Sequence, residues 1–194
     1  MLDRRWVVRK LLEDREQLLV VAGLGASAWD ITAAGDHELN FPLWGGMGGA
    51  VTVGLGLALA QPERLVLVIT GDGELLMGLG SLATVSVVQP DNLSIVVLDN
   101  RSYGETGSQK SHTAYGIDLV GIARSCGYSR VFQIDKKDQL PVLRDEIHQN
   151  TGCLFGSVNI ADHQDQLVLP PRDGAELKNR FRKKLLDQSA LFQR

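Results

Sequence analysis

Asp72 and Asn100 are the side chains whose types and spacing point most directly to chemistry. A carboxylate and an amide oxygen are hard ligands, suited to Mg²⁺ or Ca²⁺ and poorly suited to softer metals. Asp72 lies in Gly71-Asp72-Gly73 and Asn100 in Asp99-Asn100-Arg101-Ser102-Tyr103-Gly104, each directly after an apolar run that reads as a buried strand. The step of 28 positions from Asp72 to Asn100 is what one loop, one crossover helix and one parallel strand consume. Both groups therefore emerge at the carboxyl edge of one sheet, where open α/β folds place their ligands. Gly71 and Gly73 have no side chain to hold an anion away, so the backbone N–H groups that open the following helix can reach phosphate oxygens. Mg²⁺ usually completes its octahedron with water and phosphate, so these residues point to a magnesium diphosphate site.

The elements that must position them are readable from periodicity. Short β-rich apolar runs at 18–22, 65–70, 93–98, 131–134 and 154–160 alternate with helical patterns at 47–60, 75–88, 119–126 and 139–150. That alternation predicts an α/β fold, a doubly wound and mainly parallel sheet with helices on both faces. An amphipathic helix is expected over 6–19. Residues 1–171 are expected to form the diphosphate-binding domain and 172–194 a basic helical arm. The arm follows Pro170 and Pro171 and holds seven Lys or Arg against three acids. With no interleaved aromatics it reads as a solvated helix lying on the sheet or on a neighbouring subunit rather than as a nucleic-acid binder.

Gly23 to Ala28 matches the dinucleotide pattern G-x-G-x-x-A after the first strand. A dinucleotide fold needs a second strand ending in an acid about 20 residues on, whereas 29–44 holds Gly35, Asp36, His37, Asn40 and Pro42. The run is therefore read as a strand-to-helix glycine turn.

Gly71-Asp72-Gly73 followed by Asp99-Asn100 resembles the thiamine diphosphate motif of the thiamine diphosphate-dependent decarboxylases, usually written GDG and ending in two asparagines. Asp99 departs from that pattern and Asn100 keeps it. The likeness runs from about 18 to 160 and is nearest to the sulfopyruvate and phosphonopyruvate decarboxylases, through Leu98 to Gln109 above all. The resemblance implies that Asp72 and Asn100 bind Mg²⁺ through side chains and Ser102 through its main-chain oxygen. It also implies that Gly71, Gly73, Glu74, Tyr103 and Gly104 line the cofactor. Glu74 is awkward there, since a carboxylate beside a diphosphate is repulsive unless it points away. Trp44 to Ala50 resembles the segment beneath the cofactor rings, which would give the Gly45 carbonyl to the 4′-amino group and make Met47 the wedge that bends the cofactor. Without that neighbourhood Met47 reads as an ordinary core side chain.

The resemblance implies the β component of a two-component 2-oxoacid decarboxylase, with a pyrimidine-domain α subunit supplying the activating glutamate that this sequence lacks. The chain alone is expected to be a homo-oligomer with little activity. An acetolactate-type carboligase component and a non-catalytic diphosphate-binding module are the alternatives. The polar stretch Thr106 to Thr113 reads as a substrate loop for a small anionic 2-oxoacid, with His112 as proton donor and Lys110 and Arg101 supplying positive charge, or else as a solvated surface loop.

Composition bounds the rest. With 194 residues, 44% hydrophobic, the chain can bury one substantial core. A net charge of −3 excludes a strongly basic nucleic-acid binder as the default. Two cysteines, Cys126 and Cys153, stand without metal-ligand spacing and read as small buried hydrophobes. The longest apolar run, 50–60, is far short of a bilayer span, and a soluble cytoplasmic protein without membrane partners is expected.

Overall fold

Runs of near-continuous hydrophobicity become strands buried on both faces, and the intervening amphipathic stretches become the helices that cover them. The computed structural model describes residues 1–149, 152–163 and 165–186. In chain order the elements are α1 (Arg4–Leu11), β1 (Leu19–Ala22), α2 (Ala26–Ala33), β2 (Asn40–Pro42), α3 (Ala50–Ala60), β3 (Val66–Gly71), α4 (Asp72–Met77) and α5 (Ser81–Val88). They continue as β4 (Leu93–Asp99), β5 (Ser102–Tyr103), β6 (Gln109–Lys110), α6 (Leu119–Ser125), β7 (Arg130–Ile134), α7 (Leu140–Ile147), β8 (Leu154–Asn159) and α8 (Gly174–Leu186).

Six strands form one parallel sheet in the order β2-β1-β3-β4-β8-β7. Strands β5 and β6 form a small antiparallel hairpin above its carboxyl edge. Alternate strand residues feed two cores. Val20, Ala22, Leu67, Ile69, Val96 and Leu98 pack with α1, α2 and α7 on one face. Leu19, Val21, Val66, Val68, Ile95 and Val97 pack with α3, α5, α6 and Phe181 of α8 on the other. The sheet is therefore doubly wound, as the alternation of patterns predicts.

Three expectations about elements need correction. Residues 29–44 do contain a strand, β2, only three residues long and paired in parallel with β1. Its brevity and its terminal Pro42 hid it, and Arg15 braces it through bonds to Asn40 and to the Leu18 and Leu39 carbonyls. The first helix spans Arg4–Leu11 rather than 6–19. Asp3 caps it by accepting from Trp6 N–H at 2.6 Å, and left-handed Asp14 and Glu16 turn the chain before β1. The helix expected over 75–88 is two helices broken at Gly78. A Cβ on Gly48, whose φ is +87°, would stand 2.8 Å from Gly78 N, so the break lets two backbones meet. The described part of the basic segment, α8, lies against β2. Phe181 lies 5.2 Å from the Phe41 ring, and Arg180 holds Asp36 with two bonds of 2.6 and 3.0 Å.

Among the described residues no helix is long and apolar enough to cross a membrane.

Candidate functional site

The parallel register of β3 and β4 brings Gly71 level with Leu98, so the turns that follow the two strands stand side by side. Asp72 opens α4 at the end of one, and Asp99 and Asn100 end the other. Between them lies a cavity of about 700 Å³ that also reaches the start of α2 and the hairpin. Of the residues singled out by sequence, Met47, Gly71, Asp72, Gly73, Glu74, Asn100, Ser102, Tyr103 and Gly104 line it. Gly45 and His112 are exposed and lie outside the lining. His112 nevertheless adjoins the site, its Nδ1 standing 3.3 Å from the Tyr103 hydroxyl.

Asp72 is almost wholly buried, and one carboxylate oxygen accepts from the Ser111 hydroxyl. The Thr113 hydroxyl lies 3.1 Å from the same oxygen and 2.8 Å from Asp99 Oδ1, so its single proton serves one carboxylate at a time. Burial pushes the Asp72 carboxyl up to about 6, the Ser111 bond opposes the shift and the charge of Asp99 adds to it. Two buried carboxylates around one hydroxyl are a donor set that a divalent cation relieves.

The Asp99-to-Ser102 turn is built by its own side chains. Asp99 Oδ1 accepts from Arg101 N–H at 2.9 Å and Asn100 Oδ1 from Ser102 N–H at 3.1 Å, with Arg101 at a φ of +63°. The acid at position 99 is thus satisfied by a backbone amide and by Thr113. The Asn100 oxygen keeps a second lone pair, while its Nδ2 donates to Asp162 at 3.2 Å. Ser102 Oγ is buried with no hydrogen-bond partner among the described residues. Among the described residues no cluster of three His, Cys, Asp or Glu side chains forms. A cation here would complete its shell with water and ligand oxygens, the habit of Mg²⁺.

The glycines differ in kind. A Cβ on Gly71 would meet nothing within 4 Å, so the strand end lies open beside the cavity and leaves an anion room to approach. A Cβ on Gly73 would stand 2.5 Å from Tyr103 Cε1, so this glycine makes room for an aromatic ring rather than for a ligand. Glu74 resolves its own awkwardness by spending both carboxylate oxygens on donors of the protein. Its Oε1 accepts from Gly48 N–H at 2.9 Å and Ala50 N–H at 3.1 Å, and its Oε2 accepts from the Thr70 hydroxyl. The residues present therefore fit a magnesium-bound diphosphate.

Several lining residues carried no signal in the sequence. Leu24, Ala26 and Ser27, from the glycine turn set aside as a dinucleotide match, line the cavity at the N-terminus of α2. Arg4, His163 and Asp165 close its far end, where Arg4 holds the fully buried Asp30 and donates to the His163 carbonyl at 3.2 Å. Ser111 and Thr113 could have been suspected only from the density of hydroxyls in 106–113.

Comparison with known proteins places this geometry. Residues 23–155 match the family model of the thiamine pyrophosphate enzyme C-terminal TPP binding domain. The chain is 36% identical over 186 residues to the sulfopyruvate decarboxylase subunit beta of Methanothermobacter thermautotrophicus, covering 95% of this chain and 96% of that one. It is 42% identical over 175 residues to the phosphonopyruvate decarboxylase of Streptomyces viridochromogenes, covering 90% of this chain but only 44% of that longer one. The fold is similar to that of the 2-oxoglutarate:ferredoxin oxidoreductase from Magnetococcus marinus, with a TM-score of 0.64 and 17% identity over 92% of this chain and 74% of that one.

Proposed function

The chain belongs to the thiamine pyrophosphate enzymes, whose C-terminal TPP-binding domain it carries, and from that premise we propose that it is the Mg²⁺- and thiamine diphosphate-binding β component of a two-component 2-oxoacid decarboxylase. The observation that carries the reading is the meeting of Asp72, Asn100, Ser102 and the open Gly71 in one cavity with Met47 at its wall. Its preferred substrate is a sulfonated or phosphonated pyruvate, a reading supported by relatives whose names state those substrates.

In this reading Asp72, Asn100 and the Ser102 carbonyl hold Mg²⁺, and the backbone at Gly71 and at the start of α2 faces the diphosphate. Bound thiamine diphosphate supplies an electron sink for loss of carbon dioxide from the 2-oxoacid. Ser111 and Thr113 orient the Asp72 carboxylate, and Met47 would offer the cofactor rings an apolar wedge. Tyr103 holds His112 at the rim as a proton donor, while Arg101 and Lys110 favour a doubly anionic substrate. Residues 1–171 act as the diphosphate-binding domain and the basic stretch 172–194, of which 187–194 lie outside the described residues, as its arm. The activating glutamate comes from a pyrimidine-domain partner subunit, without which the chain is a homo-oligomer of little activity.

The test is calorimetric titration of thiamine diphosphate in Mg²⁺ and in chelator, on the wild type and on Asp72→Ala, followed by sulfopyruvate and phosphonopyruvate turnover with and without the partner. Tight binding only with both Mg²⁺ and Asp72, and turnover only with the partner, are expected. Equal affinity in chelator, or full activity from this chain alone, refutes the reading.

A further inference from the structure

We propose that Glu74 is a positioning residue, which locks the loop carrying Met47 to the helix that opens on Asp72 so that the metal end and the ring end of the cavity move as one body. The inference rests on the thiamine diphosphate reading for the ligand used in its test, though not for the contact itself.

Within itself the loop is held by a turn in which Gly49 N–H donates to the Gly46 carbonyl at 2.9 Å. Residues 44–49 include four glycines, Trp44 to Gly46 are exposed, and helix α3 has Gly49 at its N-cap, which supplies no side-chain cap. Such a backbone is conformationally free unless another element restrains it. Helix α4 restrains it twice. At its first turn, Glu74 Oε1 accepts from Gly48 N–H at 2.9 Å and from Ala50 N–H at 3.1 Å, amides that lie at the start of α3. At its end, the Gly78 backbone lies against Gly48, close enough that no side chain fits between them. Met47 therefore sits next to a loop backbone fixed by the helix whose first residue is Asp72.

The carboxylate is itself held and enclosed. It is 4% exposed, and its second oxygen accepts from the Thr70 hydroxyl at the end of β3. A Cβ on Gly23 would stand 2.8 Å from Thr70 Oγ1 and 3.2 Å from Glu74 Cδ, so the end of β1 leaves the room this pair needs. An aspartate, one methylene shorter, cannot span from α4 to both amides, whereas a glutamine oxygen can accept from both and turn its amide toward Thr70.

Hydrogen exchange of the full chain, read by mass spectrometry or NMR at the Gly48 and Ala50 amides, tests the lock. Without ligand, Glu74→Ala and Glu74→Asp are expected to exchange these amides at least tenfold faster than wild type, and Glu74→Gln within about threefold of it. With saturating Mg²⁺ and thiamine diphosphate, wild type and Glu74→Gln are expected to slow exchange both at 72–78 and at 48–50, and the Ala and Asp variants at 72–78 alone. Wild-type exchange in the ligand-free Ala or Asp variants, or ligand protection that reaches 48–50 in them, overturns the proposal. Should the wild type show no ligand protection anywhere, the cofactor reading fails and the ligand-free comparison still decides the role of Glu74. The Asp variant keeps the comparison available if the Ala variant does not fold.

Discussion

Gly71→Ala separates the ligand from the scaffold. Gly71 has φ −92° and ψ 161°, an extended conformation that alanine adopts without strain. Beyond its two chain neighbours, the new methyl would meet no atom of the described residues within 4 Å. Replacing glycine at such a position restricts the unfolded chain and stabilises a protein by about 0.4–1 kcal/mol. The ligand-free variant should thus melt at or slightly above the wild-type temperature. The methyl would instead enter the space beside the cavity where the diphosphate is proposed to approach. At a ligand concentration of about 100 times Kd, binding adds about 2.7 kcal/mol to stability. For a domain of this size that is a rise in Tm of roughly 5–11 °C. A tenfold loss of affinity would reduce the gain to about 1.4 kcal/mol at the same concentration, halving the rise. Thermal melts with and without Mg²⁺ and thiamine diphosphate read both effects. A full ligand-induced rise in Gly71→Ala refutes the open cradle, and a ligand-free melt several degrees below wild type refutes the claim that the space beside Gly71 is empty.

Other perturbations follow from the same geometry. Gly73→Ala would put its Cβ 2.5 Å from the Tyr103 ring, so crowding should destabilise the ligand-free protein by about 1–3 kcal/mol; an unchanged melt would show that the ring gives way freely. Met47 is half-buried and outside both apolar cores, so Met47→Ala should lose about 1 kcal/mol or less rather than the 2–5 kcal/mol of a core truncation. In the reconstituted enzyme the same change should lower kcat at least tenfold, and a normal kcat refutes the wedge. Burial pushes the Cys153 thiol up to about 12 despite the opposing Arg130 charge. Since the thiolate is the nucleophile, Cys153 should react with a disulfide reagent at pH 8 roughly a thousandfold more slowly than an ordinary thiol, rising about tenfold per pH unit. Rapid stoichiometric labelling of Cys153 at neutral pH contradicts that burial.

The framework was legible because its signal is repetitive. Four strands buried on both faces, β1, β3, β4 and β8, and the half-buried edge strand β7 left apolar runs too dense to miss, and their alternation with helical patterns implies a doubly wound sheet without reference to any contact. What escaped notice was set by long-range contacts. Strand β2 is held by pairing with β1 and by Arg15 reaching from a preceding turn, and nothing within 40–42 announces it. The break between α4 and α5 looks in sequence like one helix containing glycines. Its cause is Gly48, 30 residues earlier, a partner that no local propensity encodes.

The candidate site divides along the same line. Asp72 and Asn100 could be paired by counting residues, because the length of a crossover unit is a local property of the chain. The partners that orient them could not. Asp99, a departure when read along the motif, is in space the acceptor for Arg101 N–H and for Thr113, and Thr113 also stands beside Asp72. Glu74, uncomfortable beside a diphosphate, has both carboxylate oxygens taken up by three donors from β3 and the start of α3. Both acids look misplaced only while their neighbours are taken from the sequence. Motif letters identify groups that meet a ligand, and residues that hold those groups in place are chosen by whichever backbone amides and hydroxyls the fold delivers nearby. A substitution at position 99 or 74 should accordingly be judged against Thr113 or Gly48, the atoms each carboxylate meets, before it is judged against the family pattern.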